Sequence, residues 1–374
     1  MKWAEKGSAA VLVGGQFGSE GKGQIAAWLA HNACSEGVDI ATTNAGAQAG
    51  HTTQYKNGTK FICYHLPTVG VIRRESKVYI NGGSIIDVAT LKREIAECER
   101  THGGIIQRLV IHPRASIITE EAKAAAKDIE QSPGIKYGAI QKGVGQTLAG
   151  KVLRRARVAA GEPKIAPYID DLNLNEYLEN RAAVTVEIPQ GTGLGLIHGH
   201  IYPYTTSRDC WVGSGFNDAG IHPSFLGNVA MVVRTFPIRV GHSFNEMGEQ
   251  IGDSGPFYPD SQELRWEDAF PGIEPERTTV SKRIRRIATW SNDQYAAALS
   301  LNRPDIVALT FVDYLRGPNE FWHRLAQMEN IEKEVLGRHC QHVYSFGPHQ
   351  EDVTEDEDTV IRYFANRAVP EWAK

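Results

Sequence analysis

Residues 9 to 14, Ala-Ala-Val-Leu-Val-Gly, form a short apolar run that stops at glycine, the pattern of a strand buried on both faces. The run passes directly into Gly14-Gly15-Gln16-Phe17-Gly18-Ser19-Glu20-Gly21-Lys22-Gly23-Gln24. Beyond Lys22, Ile25, Trp28 and Leu29 fall at i, i+3 and i+4 with Ala26, Ala30 and Ala33 nearby, which predicts an amphipathic helix. A strand, a glycine loop and a helix in that order suit an open α/β sheet that binds ligands at the carboxyl ends of its strands. The loop suits phosphate: glycines let backbone N–H groups come close, the helix N-terminus adds partial positive charge and Lys22 adds a full one. A plain glycine-rich turn before a helix is the bland alternative. The spacing is not that of a Walker loop, since five residues separate Gly15 from Gly21-Lys22 and Gly23 follows, and GxGxxG is absent.

Buried-strand runs recur at 108–112, 183–188, 229–235, 305–311 and 342–346. Helical stripes lie between them, Val88 with Leu91 and Ile95, and Tyr295 to Leu301. The alternation predicts an α/β fold with a mostly parallel central sheet covered by helices on both faces, and one elaborated domain over 1–374. Residues 131–150 and 241–280, rich in Gly, Pro, Ser and Asp, read as long functional loops. In the acidic run from Glu351 to Asp358, Thr354 with Glu357 reads as a capping box before an apolar helix.

Charge and cysteine usage remove other classes. A formal net charge of −4 gives no reason to expect nucleic acid or a membrane as partner. The five cysteines, Cys34, Cys63, Cys98, Cys210 and Cys340, contain no CxxC pair and read as reduced, buried thiols. Neither a signal peptide nor an apolar run of membrane-spanning length is present, so a cytoplasmic protein is expected, in the host cytoplasm if phage-encoded.

Gly-Gln-Phe-Gly-Ser-Glu-Gly-Lys-Gly at 15–23 closely resembles the signature loop of adenylosuccinate synthetases, and Asn44 to Thr52 resembles their second signature. Further matches, Tyr64 to Pro67, Gly143 to Gly145, Lys151 to Arg155, Gln190 to Thr192, Tyr202 to Ser207, Thr278 to Arg286 and Ser345 to Pro348, extend the resemblance over nearly the whole chain. It implies a carbon–nitrogen ligase that phosphorylates O6 of IMP and then displaces the phosphate with the aspartate amine. It also implies that Gly18, Ser19, Glu20, Gly21, Lys22, Gly23 and Gln24, with Gly50, His51, Thr52, Arg285, Phe311, Asp313, Ser345, Gly347 and Pro348, bind the donor nucleotide. Gln48, Ala49, Ile140, Arg154, Gln190, Thr206 and Arg283, with Ser19, would face the purine nucleotide, and Arg154 would reach into a neighbouring subunit of a homodimer. Gln48 stands where the family has asparagine, and Ile140 where it has a phosphate-binding threonine. Magnesium would sit at Ser19 and the Gly50 carbonyl, with Ser19, Lys22 and His51 catalytic and His51 the general acid.

One departure redirects the reading. Ser19 replaces the aspartate that, in the family, takes the purine N1 proton and ligates magnesium. Serine is a poor base and a weaker ligand, but its small hydroxyl leaves room for, and accepts a hydrogen bond from, a 2-amino group beside N1. A phage branch resembling this family joins aspartate to dGMP on the route to 2-aminoadenine DNA, and the expectation is that activity, with GMP also open. An ordinary GTP-dependent enzyme acting on IMP, and an inactive nucleotide-binding regulator, are the alternatives. A substrate phosphate, a water or unassisted N1 deprotonation could replace the missing base.

Two further segments carry alternatives. Residues 279–286, Thr-Val-Ser-Lys-Arg-Ile-Arg-Arg, could be a basic nucleic-acid patch, whereas the resemblance implies an aspartate-gripping loop in which Thr279, Val280, Ser281, Arg283 and Arg285 take part. The family's guanine-reading lysine and aspartate are here Phe311 and Asp313, which weakens GTP and favours ATP or dATP, with Phe311 able to stack on any base.

Overall fold

The computed structural model describes residues 1–131, 142–244, 247, 249–278 and 283–367. Ala9–Gly14 is a fully buried strand whose alternate residues face two different cores. Ala9, Val11 and Val13 join one with Val184, Met231 and Leu309, while Ala10 and Leu12 join the other with Ile25 and Leu29. A strand apolar on both sides can only be central, and the sheet order confirms it. The nine strands run, edge to edge, Val353–Thr354, Gln341–Ser345, Ile306–Thr310, Leu226–Arg234, Ala9–Gly14, Val184–Glu187, Ile40–Thr43, Lys77–Ile80 and Leu109–Ile111. All pair in parallel except Val353–Thr354, which runs antiparallel at one edge.

The expected strands and helices are all present, with ends moved by a few residues: the first helix is Lys22–Asn32 and two others are Val88–Thr101 and Asn292–Asn302. Two central strands escaped the sequence pattern because they are short, and Ile40–Thr43 ends in two threonines that are nevertheless buried. The stretches expected to be long loops carry structure: Val144–Val152 is helical, and 241–280 holds short strands at Ser243–Phe244, Gln250–Gly252 and Glu263–Leu264 and a helical turn at Trp266–Ala269. The expected Thr354 cap is also corrected. Helix Glu357–Asn366 is capped by Asp356, whose carboxylate accepts from the Asp358 and Thr359 amides, while Thr354 accepts from Asp356 N. Aspartate next to the first turn outcompetes a hydroxyl two residues earlier because it reaches those amides and adds negative charge at the positive helix end.

All five cysteines are free and buried. Among the described residues, no helix is long and apolar enough to cross a membrane.

The hairpin His51–Gln54 with Lys60–Cys63 lies on the first helix, and Gly23 lets it approach. A Cβ at Gly23 would meet Thr52 O at 2.5 Å and the His51 carbonyl carbon at 2.7 Å, both backbone atoms that cannot swing aside. Thr53 Oγ1 donates to Gly23 O at 3.0 Å across the same contact. Gly23→Ala should therefore destabilise the protein by about 1–3 kcal/mol in urea unfolding. Gly161→Ala, where an added Cβ meets nothing within 4 Å, should stay within about 0.5 kcal/mol of the parent.

Candidate active site

The glycine loop folds around a carboxylate. Glu20 is fully buried; its Oε1 accepts from Gln16 N at 3.1 Å and Gly18 N at 2.7 Å, and its Oε2 takes Lys22 Nζ at 2.7 Å. Lys22 also donates to the Gln190 carbonyl, which a positive φ of 67° turns toward it. Gly21 caps the first helix with no side-chain hydrogen bond; Gln24 N donates to Gly21 O at 3.1 Å, and no capping side chain competes with an anion at this helix end. Ser19 sits at φ 61° with an exposed side chain, and its hydroxyl accepts a short hydrogen bond from Arg285 Nη1.

His51 heads the strand packed on Gly23. Its Nδ1 lies 3.5 Å from Glu187 Oε2 at the end of a central strand, while the buried Nε2 has no hydrogen-bond partner among the described residues. Glu187 Oε1 is itself held by Val69 N at 2.8 Å. Neither Glu187 Oε2 nor His51 Nε2 has a hydrogen-bond partner among the described residues, so a carboxylate faces one ring nitrogen while the other is left for a proton donor or acceptor.

The residues expected to bind the donor converge from opposite ends of the chain. Thr310 Oγ1 donates to Glu20 O at 2.7 Å, bringing Phe311 and Asp313 beside the loop. Gln24 Nε2 donates to Gly347 O at 2.9 Å and to His349 O, pinning the Ser345–Pro348 turn to the first helix. Ser345 is buried with its hydroxyl 3.4 Å from Gly347 O. Burial pushes the Asp313 carboxyl up to about 6, with Arg234 and Arg367 pulling the other way.

On the other side, Gln48 Nε2 meets Thr206 Oγ1 at 3.5 Å, and the buried Gln48 Oε1 has no partner among the described residues. Ala49 is buried beside them, Gly50 and Thr52 are accessible, and the Gln190 side chain accepts weakly from Cys210 Sγ at 3.7 Å. Arg283 and Arg285 pair through their backbone with residues 278 and 276, Thr278 N donating to Arg283 O at 2.9 Å and Arg285 N to Glu276 O at 2.8 Å. Ile140, Thr279, Val280 and Ser281 lie outside the described residues. Arg154 is exposed at φ 61° after helix Val144–Val152, and its side chain bonds to no other described residue. No group of three or more His, Cys, Asp or Glu able to hold a metal occurs among the described residues.

Three participants were not anticipated: Glu187, Arg234 and Glu276. Glu187 and Arg234 each end a buried strand, and a charge placed there is a legible signal of a site in a parallel sheet. Glu276 gives no such signal, lying in an irregular stretch next to Arg277.

A central parallel sheet with a phosphate-shaped loop at its crevice and an oriented histidine beside it defines a nucleotide-handling α/β enzyme. The family profile described as adenylosuccinate synthetase matches residues 11–162 and 156–322. The N6-succino-2-amino-2′-deoxyadenylate synthase of Salmonella phage PMBT28 is 33% identical, over 93% of this chain and 97% of that protein. The adenylosuccinate synthetase of Pyrococcus sp. (strain ST700) is 32% identical, over 81% and 83%. Among solved structures, the cyanophage S-2L succinoaminodeoxyadenylate synthetase, bound to dGMP and to dATP as an energy donor, superposes with a TM-score of 0.78 at 27% identity, over 96% of this chain and 99% of that one. This chain therefore belongs to the adenylosuccinate synthetase family, whose members are carbon–nitrogen ligases.

The Asp313 carboxyl yields a pH test. It ionises near 6 in the fold and near 4 in an unfolded chain. The unfolded chain thus releases its proton first, so this group costs stability progressively from about pH 4 to about pH 6, and fully above. Asp313→Asn should gain thermal stability over the parent at pH 7 and lose that advantage at pH 4.

Proposed function

We propose that this protein joins L-aspartate to C6 of dGMP, with ATP or dATP as phosphoryl donor, giving 2-amino-2′-deoxy-N6-succinyladenylate for 2-aminoadenine DNA. The observation that carries the reading is Ser19. An uncharged hydroxyl, accessible at the mouth of an otherwise intact phosphate loop, occupies the position of the family's aspartate. The names of the phage relatives support the same acceptor and product, and the cyanophage complex supports dATP as donor.

The roles follow from the chemistry each group can do. Lys22 and the loop amides bind the donor phosphates. Gly50 O, a hard and accessible oxygen, would hold magnesium, whose charge, when bound, offsets that of the phosphates; such an ion takes its remaining ligands from phosphate and water, so a site without a carboxylate cluster is a fit, and the two lone pairs of Ser19 Oγ are left for Arg285 and the 2-amino group. The purine O6 attacks the donor's terminal phosphorus as the N1 proton passes to a substrate phosphate or to water, and the bond to the bridging oxygen breaks. His51, with Nδ1 against Glu187, presents Nε2 to the charge that develops there. The aspartate amine then attacks C6, loses a proton, and phosphate departs with the former O6. Arg283 and Arg285 fork onto the aspartate carboxylates, and Phe311 stacks on the donor base. Gln48, Gln190 and Thr206 line the acceptor side, with Ser19 accepting from the 2-amino group.

The active unit is a homodimer in this reading. Arg154 is flanked by Val152 and Leu153, which are 76% and 60% exposed, an apolar margin that suits burial against a second copy.

Phosphate release with magnesium, aspartate and dATP should be fast with dGMP and at least about tenfold slower with IMP, since a site built to hydrogen-bond one group rejects the analogue lacking it; GMP measures the weight of the 2′-OH. Turnover with IMP alone would return the protein to ordinary adenylosuccinate synthesis, and none with any acceptor or donor would leave a regulator. Ser19→Asp should move the kcat/KM preference from dGMP toward IMP, and an unmoved ratio would place specificity elsewhere.

A further inference from the structure

Behind Ser19 lies a charged pair, the buried Arg234 and the part-buried Glu276, that the roles above leave without a task. Arg234 ends the Leu226–Arg234 strand with no solvent exposure. Its guanidinium forks onto Glu276, Nη2 to Oε1 at 2.5 Å and Nη1 to Oε2 at 3.2 Å, and Nη1 also approaches the Ser19 carbonyl at 3.4 Å. Its backbone is clamped to the phosphate loop, since Gln16 Nε2 donates to Arg234 O at 3.1 Å and Arg234 N to Gln16 Oε1 at 3.0 Å. The flat face of the same guanidinium lies 3.7 Å from the centre of the Phe311 ring. Glu276 gathers the rest: Tyr314 OH donates to its Oε1 at 3.0 Å, and Arg285 Nε lies 3.8 Å from its Oε2. Burial alone would raise the Glu276 carboxyl, but Arg234 and Arg285 together hold it below the usual range.

Two guanidinium groups this close repel unless a carboxylate stands between them, and a buried arginine needs its fork filled. Glu276 meets both needs. With the carboxylate in place, Arg285 can reach Ser19 Oγ from one side while Arg234 holds the Ser19 carbonyl from the other. Ser19 is a non-glycine residue at φ 61°, a conformation that persists only where neighbours impose it. The side chain that would read the purine edge is thus aimed, through Arg285 and its own backbone, by Arg234 and Glu276, which have no substrate contact in the roles above.

The geometry points to Arg234 and Glu276 as a positioning pair that sets acceptor specificity, holding Ser19 and Arg285 in the one arrangement that presents the serine hydroxyl to a 2-amino group. The inference rests on the reading of Ser19 as the acceptor-facing residue. Removing the charge of Glu276 frees Arg285 to turn away and relaxes the Ser19 backbone, so discrimination between acceptors falls more than turnover itself. A purely structural role for the pair would lower the active fraction for every acceptor equally and leave their ratio alone.

The test is the dGMP-to-IMP ratio of kcat/KM for the parent and for Glu276→Gln, with the folded fraction of each measured by thermal unfolding. The expected result is a ratio that falls by about tenfold, the discrimination carried by one well-placed hydrogen bond. A ratio that stays at the parent value in folded Glu276→Gln overturns the inference and leaves the proposed activity intact. A parent enzyme with no preference for dGMP overturns the functional reading, and the inference with it. Should Glu276→Gln fail to fold, Tyr314→Phe removes a single hydrogen bond from the same carboxylate oxygen; a smaller fall in the ratio supports the pair, and no change overturns it.

Discussion

A buried carboxylate inside the phosphate loop is the constraint on which the rest of this active site depends. Glu20 has no access to solvent and takes two loop amides and Lys22. Loss of either partner in such a pair leaves an uncompensated buried charge, at about 3–5 kcal/mol. The loop therefore has to wrap the carboxylate closely, and its neighbours have to yield. A Cβ at Gly191 would stand 2.4 Å from Glu20 Oε1, and one at Gly14 would stand 2.7 Å from both Glu20 Oε2 and Lys22 Nζ. Backbone atoms crowd the same two points, Gln190 O at 2.6 Å from the Gly14 position and Gly18 N at 2.5 Å from that of Gly191, so the ion pair and the backbone wrapped around it together require glycine there. The same pair keeps the Lys22 ammonium at the loop, where an arriving phosphate can share it.

Around that centre the sheet brings together segments that are distant in the chain. Thr310 and Gln24 fasten the turns after two other strands to the loop, and Glu187 faces His51 from the end of a neighbouring strand. Parallel strands make this possible because all of their carboxyl ends open on one side, so each following loop can supply one group. Rigid strands behind short contacts also hold the groups still, which matters for a reaction that must align a phosphoryl group, a purine oxygen and an amine in turn.

The exchange of aspartate for serine at position 19 gains its meaning from these surroundings. A hydroxyl alone is weakly directional, but this one is met by Arg285 and its backbone is gripped by Arg234. In the proposed reading, specificity at one exposed side chain is built on a buried arginine, Arg234, and the part-buried Glu276 that it holds one layer deeper.

Much of the architecture was legible in the order of residues. The apolar run at 9–14, the glycine loop and the stripe after Lys22 dictate a central strand, a phosphate loop and a helix, because local patterning alone separates a strand buried on two faces from a half-exposed one. The loop, His51 and the arginines 283 and 285 were likewise visible as motifs, and the structure places Arg285 on Ser19. Other features were decided only in three dimensions. The Asp356 cap prevailed over Thr354 by reach, and short strands such as Ile40–Thr43 exist because neighbours on both sides complete their hydrogen bonds. The pairing of Glu187 with His51 and of Arg234 with Glu276 joins residues 136 and 42 positions apart, on elements whose contact no local pattern encodes. A charge becomes a partner through the distance and burial that packing creates, and those quantities belong to the tertiary structure alone.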